Sequence, residues 1–120
     1  CASGIRTLAS DEIRFRPGAY HNGSVWLWDT HYIAKGLRRH GKATVVDSID
    51  QALITVSNKT GMFPEYVRGE QERIALNEDS VRIWDEAAQR ENLIEQPPQE
   101  VQAWTVAAIL ESKTLRTQRS

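Results

Sequence analysis

Apolar positions recur along this chain in three helix-like blocks, the last two separated by a long charged stretch. From Val25 they fall at Val25, Trp26, Tyr32, Ile33 and Leu37, roughly one face at the 3.6-residue period, which predicts a helix. Asn22-Gly23-Ser24 supplies the turn before it, with Asn22 or Ser24 as an N-cap for the free N–H groups, and Gly41 is a stop. A second block, Val45, Val46, Ile49, Ala52, Leu53 and Val56, repeats at i, i+3 and i+4. Thr44 and Asp47 have capping-box spacing at its start, and Thr60-Gly61 ends it. So short a connection predicts that the two helices fold back on each other as an antiparallel hairpin. A third helix is expected after Pro97-Pro98, with Glu100 in its first turn and Val101, Trp104, Ala108 and Leu115 inward.

Residues 1–23 lack this period. Ile13 and Phe15 alternate with arginines before Pro17-Gly18 turns the chain, so the segment reads as extended or loop. Residues 61–98 contain Phe63-Pro64-Glu65-Tyr66 and Val81-Arg82-Ile83-Trp84, the second a candidate short strand. A loop of that length in a compact domain is commonly functional. The expected organisation is one all-α unit over 1–120: loop 1–23, helical hairpin 24–60, functional loop 61–98 and final helix 99–116. Three amphipathic helices leave one apolar face unpaired. Either an upstream segment or a second copy of the chain, forming a homodimer, is expected to cover it.

Composition removes several function classes. The 120 residues carry 15 basic and 16 acidic side chains, a net charge of −1, so no charge excess favours nucleic acid or an anionic membrane. The apolar runs are too short to cross a bilayer, no leader precedes them, and Cys1 alone excludes an intrachain disulfide; a reducing, cytoplasmic setting is expected. His31 and His40 have no ligand-spaced partner, so neither a metal nor another cofactor is expected. The segment Tyr20–Asp29 is what stands out. It gathers Trp26 and Trp28, two of the four tryptophans, with Tyr20, His21, Asn22 and Asp29. Flat rings stack on the apolar C–H face of a sugar while amide and carboxylate tips bond its hydroxyls, so a carbohydrate is the expected partner. Read as one helical turn, Trp26, Trp28 and Asp29 cannot all face the same way, which sends one tryptophan to the core and the other to the cleft.

Gly4-Ile5-Arg6-Thr7-Leu8-Ala9-Ser10 and Tyr20-His21-Asn22-Gly23-Ser24-Val25-Trp26-Leu27-Trp28-Asp29 together resemble the C-terminal region of amylo-α-1,6-glucosidase (glycogen debranching enzyme) type glycosidases. Phe63-Pro64-Glu65-Tyr66, followed by Gly69, is similar to that family's Pro-Glu loop. Pro98-Gln99-Glu100-Val101-Gln102-Ala103-Trp104 is similar to its closing helix start. The resemblance implies the last helical hairpins of an (α/α)6 barrel, a partial toroid, and hydrolysis of an α-glucosidic bond with inversion. It makes Glu65 the general base and puts Tyr20, His21, Asn22, Trp26, Trp28, Asp29 and Gln102 around the substrate. The family's general acid belongs to an earlier hairpin that nothing here matches; Asp29, Asp85 and Glu95 remain unassigned acids. Leu27 stands where the family usually has proline, and residues between Gly69 and Pro98 depart from it. Taken alone, the chain is expected to be inactive, a fragment carrying the base and part of the sugar wall. The alternative is a stand-alone noncatalytic module derived from that fold, which dimerises or binds sugar.

Overall fold

The structure, a computed structural model, describes residues 1–77, 80–95 and 97–119, without the side chains of 80–83, 93–95 and 116–119. In chain order it contains β1 (Val25–Trp26), α1 (Leu27–Arg39), α2 (Ala43–Thr60), β2 (Tyr66–Val67), β3 (Ser80–Asp85), β4 (Arg90–Glu95) and α3 (Ala103–Arg119). The three helices pack on one another around Leu27, Ala34, Val46, Leu53, Val56 and Ile109, and Val25 and Val67 from the small sheet close the same core. Among the described residues no helix is long and apolar enough to cross a membrane.

The first helix begins later than its apolar spacing predicts, because Val25 and Trp26 are taken by strand pairing with Val67 and Tyr66. Its N-cap is Trp26, without a side-chain cap. The Ser24 hydroxyl, expected to cap, instead donates to the Tyr20 carbonyl at 2.9 Å. Starting at Leu27 also sets the helix phase: Leu27, Thr30, His31 and Ala34 go inward. Tyr32, expected on the buried face, is 68% exposed, and Ile33 is also outside. Gly41, with φ +71°, follows the helix as expected.

The second helix starts at Ala43, one residue before Thr44, so Thr44 is inside it and caps nothing. Val46, Ile49, Leu53 and Val56 are buried as their spacing predicts, whereas Val45 is exposed. Gly61 terminates the helix in the left-handed region, φ +67°, with its N–H bonded to Ser57, a conformation that costs glycine no Cβ clash. The third helix begins at Ala103, which leaves Glu100 outside its first turn. Val101 and Trp104 are exposed rather than inward; Ala108 is buried. The reason is that the preceding segment is held by the Phe63–Glu65 loop, which fixes the face α3 presents.

Two more departures concern the loops. Residues 9–16 form successive turns rather than an extended run, with Glu12 N–H bonded to Ala9 O and Phe15 N–H to Glu12 O, and Ile13 stands in solvent. The candidate strand near Val81–Trp84 is present as β3, and it has an unforeseen partner: β4 pairs with it antiparallel from Ser80↔Glu95 to Asp85↔Arg90.

Polar pairs tie the helices together inside this apolar frame. Arg38 on α1 bonds Asp50 on α2 at 2.8 Å, and the Asp50 side chain is fully buried. His31 on α1 lies between two α3 residues, Nε2 at 2.9 Å from Glu111 Oε2 and Nδ1 at 3.2 Å from Ser112 Oγ. A carboxylate accepts only, so in the neutral ring Nε2–H donates to Glu111 and the Ser112 hydroxyl donates to Nδ1. Removing one partner of a buried ion pair leaves a charge in a low-dielectric site. Arg38→Ala is therefore expected to lower stability by about 3 kcal/mol, read as a lower denaturation midpoint with an unchanged slope; an unchanged midpoint would show that the pair does not hold α1 to α2.

Candidate functional site

Backbone pairing decides where Glu65 goes. Trp26 sits opposite Tyr66 in the β1–β2 pair, so the residue before Tyr66 is delivered beside the 20–26 turn. On its other flank the Glu65 N–H donates to Gln99 O at 3.0 Å, Phe63 N–H to Glu100 O at 2.9 Å, and Gln102 N–H to Phe63 O at 2.9 Å. The buried Thr105 hydroxyl, one turn into α3, donates to Pro64 O at 2.9 Å. The Pro-Glu loop is thus clamped between β1 and the approach to α3.

Two glycines make the clamp close. A Cβ on Gly69 would stand 1.8 Å from Gly23 O, and one on Gly23, φ +151°, 2.1 Å from Arg16 O. Neither position has room for a side chain. Gly69 N–H reaches Pro17 O at 2.8 Å, and Arg6 Nε donates to Gly69 O at 2.6 Å.

The result is a cluster of rings around one carboxylate. Tyr20 meets His21, Trp26 and Tyr66 edge-on, at centroid distances of 4.7, 4.5 and 5.1 Å. His21 lies parallel to Trp26 at 6.0 Å, and Trp26 stacks on Tyr66 at 5.7 Å. The Trp26 indole N–H is spent on Tyr20 O at 2.8 Å, so what this ring offers a ligand is its face. The Tyr20 hydroxyl donates to Glu65 Oε1 at 2.5 Å, and Gln99 N–H points at Oε2 at 3.4 Å. The hydrogen bond to Glu65, then burial and the nearby Glu65 and Tyr66, push the Tyr20 phenol up to about 12.

Beside the cluster lies an open depression of about 260 Å³ lined by Thr7, His21, Trp26, Trp28 and Asp29. A second, of about 390 Å³, runs between α1 and α3 along Trp28, Tyr32, Lys35, Trp104 and Glu111. Trp28 borders both and meets Trp104 edge-on at 5.0 Å.

The structure brings Tyr20, His21, Trp26 and Glu65 together, and places Trp28 and Asp29 at the adjoining depression. Because Trp26 is in β1 rather than in the helix, it and Trp28 both reach this region. Asn22 is an exposed turn residue whose carbonyl accepts from Arg16 N–H at 2.9 Å. Gln102 is not at the depression; its Oε1 lies 3.2 Å from the Thr105 hydroxyl, so it supports the Pro-Glu loop. Of the unassigned acids, Asp85 is occupied in the β3–β4 turn by Ala88 N–H and Asn92, and the Glu95 side chain lies outside the described residues. Sequence reasoning missed Tyr66, whose buried hydroxyl accepts from Asn77 at 3.3 Å. Its only signal was its place directly after Glu65. It also missed Thr7, whose hydroxyl accepts the Gly23 N–H at 2.9 Å. Among the described residues no group of three His, Cys, Asp or Glu side chains is arranged to hold a metal ion.

Residues 1–75, which include every residue of the ring cluster and Glu65, match the family model of the mannosylglycerate hydrolase MGH1-like glycoside hydrolase domain. The chain belongs to this family. The MGH1-like match supports a glycoside hydrolase of the six-hairpin type, and the three packed helices are a fragment of such an (α/α) domain. It does not extend to the amylo-α-1,6-glucosidase member that the sequence motifs resemble. No curated protein and no solved structure matches this MGH1-like chain.

The loop that follows Glu65 in this MGH1-like domain is pinned by charge. Glu70 accepts from Arg68 at 2.8 Å and from Arg73 at 2.9 Å. Those two hydrogen bonds, Arg73 first, lower its carboxyl from 4.5 to about 2. A carboxyl depressed in the folded state stabilises above its unfolded value and loses that contribution as pH falls through its folded one. As pH falls from 4.5 to about 2, amide protection over 66–77, taken relative to the intrinsic exchange rate at each pH, is expected to fall more in the parent than in Glu70→Gln, which already lacks the charge. An equal fall in both would exclude the pair as the acid-sensitive tie.

Proposed function

We propose that this chain is the base-bearing part of an inverting α-glycosidase, with Glu65 as the general base and the Tyr20–Asp29 rings as a wall of the sugar site. The observation that carries this reading is the placement of the Glu65 carboxylate against the ring cluster, in a chain of a glycoside hydrolase family. Inversion needs a carboxylate that takes a proton from water on one face of the sugar, and an acid about 6.5–9.5 Å away that protonates the leaving oxygen. Glu65 suits the first role: its backbone is fixed in the loop, while its carboxylate is half-buried against Tyr20, in the ring cluster that borders the depression. The rings of His21, Trp26 and Trp28 offer apolar faces and Asp29 an acceptor for hydroxyls. The acid comes from an earlier hairpin of the six-hairpin domain, as the family resemblance implies.

Two bonds compete as substrate. The Tyr20–Asp29 and Pro-Glu motifs favour an α-1,6-glucoside, and the family description favours a mannosyl group on glycerate. The open face of α1 and α3, where Tyr32 and Trp104 are 68% and 63% exposed, favours a covering helical layer, which is the place of the remaining hairpins; a second copy of the chain is the alternative occupant.

Joined to the upstream hairpins, the chain is expected to hydrolyse one of these two substrate types. Glu65→Gln should lower turnover by about 10²–10⁴-fold, the usual worth of a general base, with sugar affinity and folding retained. Measured hydrolysis rates on isomaltose and on mannosylglycerate test both points. Undiminished turnover in Glu65→Gln removes Glu65 from the mechanism, and hydrolysis of neither substrate type favours the noncatalytic module.

A further inference from the structure

Tyr20 is held more firmly than a sugar-contacting residue needs to be. Its carbonyl accepts from both Trp26 Nε1 at 2.8 Å and Ser24 Oγ at 2.9 Å. Its ring is braced edge-on by His21, Trp26 and Tyr66. Its hydroxyl has one proton to give, and gives it to Glu65 Oε1 at 2.5 Å. That is a charge-assisted bond at the short, strong end of the range.

We propose that Tyr20 is a positioning residue for Glu65 rather than a sugar ligand: it fixes Oε1 and so makes Oε2 the oxygen that receives the proton. This rests on Glu65 being the general base. A free glutamate rotates about several side-chain bonds, and a base displaced by about 1 Å can cost on the order of 10²-fold in rate. With Oε1 occupied, Glu65 N–H held by Gln99 O and the preceding carbonyl, Pro64 O, held by Thr105, the carboxylate keeps one orientation. Among the described residues Oε2 accepts from Gln99 N–H in a longer contact, 3.4 Å, and retains a lone pair for water. In the step itself the water oxygen bonds to the anomeric carbon as the glycosidic C–O bond breaks. Its proton passes to Oε2, and the leaving oxygen takes a proton from a separate carboxylic acid. The Tyr20 proton does not move. The groups facing the phenol are Glu65, Tyr66 and His21. A phenol is protonated at neutral pH in any case, and the hydrogen bond to Glu65 raises its value further, to about 12, so the hydroxyl stays a donor.

The contact can be read in the chain as it stands, from the ring carbons of labelled tyrosines followed by NMR against pH. The Tyr20 signal, identified by its absence in Tyr20→Phe, is expected to stay protonated to about pH 12, and Glu65→Gln should return it toward 10. Tyr20→Phe keeps the ring and its packing, so the fold should survive. It should loosen the Glu65 side chain by relaxation measurements, whereas Tyr32→Phe, on the exposed face of α1, should not. In the chain joined to its upstream hairpins, Tyr20→Phe is expected to lower kcat by about 10²-fold with KM nearly unchanged. Removal of a sugar ligand would instead raise KM. The proposal is overturned if the Tyr20 signal titrates at the same pH with and without the Glu65 carboxylate, or if the defect of Tyr20→Phe lies in KM. If Tyr20 follows Glu65 but Glu65→Gln still hydrolyses at full rate, the catalytic reading of Glu65 fails while the hydrogen bond stands.

Discussion

Everything about the site depends on a two-residue strand pairing. Trp26 opposite Tyr66 and Val25 opposite Val67 bring a turn near the start of the chain against a loop forty residues later. Two residues of ladder are marginal alone. They hold because Val25 and Val67 are wholly buried in the helical core, so packing supports the register. Shifting that register by one residue would turn Val67 outward and Tyr66 away from Trp26. The core therefore specifies the site, although the site faces the surface.

The glycine contact and the Arg6 bond work toward the same end from outside. They draw residues 16–24 onto 66–69 closely enough that Gly69 has another carbonyl where its Cβ would be. Residues Gly4, Arg6 and Thr7, in the segment that reads as loop, are structural partners: Gly4 packs against Thr30, Arg6 bonds Gly69, and Thr7 bonds Gly23. The ring cluster and Glu65 are thus supported by backbone contacts, which keep their geometry better than mobile side-chain contacts.

The sequence was most legible where periodicity governs. The buried stripe of α2, its glycine stop and the existence of three helices follow directly from spacing. It was least legible where tertiary contacts outcompete local rules. Ser24 has the right side chain for a helix cap, yet its hydroxyl is better used on the Tyr20 carbonyl, and Val25–Trp26 are claimed by a strand whose partner lies far along the chain. Tyr32 and Trp104 mislead for a related reason: in a fragment of a larger helical domain, large apolar residues need not face this chain's own core. Glu65 was legible only through the motif around it. Tyr66 was not, because a buried tyrosine and a surface one look alike until the strand that seats it is known.

The separation in sequence of the site's partners carries a consequence for folding. Tyr20 and Glu65 are 45 residues apart, Glu65 and Gln99 are 34 apart, and His31 reaches across 80 to Glu111. No local segment contains enough of these contacts to form early, since loop closure must precede their reward. The helical hairpin α1–α2 can assemble first, but Glu65 finds Tyr20 only once β2 and the start of α3 have docked. A nascent or partly opened chain consequently presents scattered rings and an untethered glutamate, so that the assembled ring cluster is confined to molecules that have completed their folding.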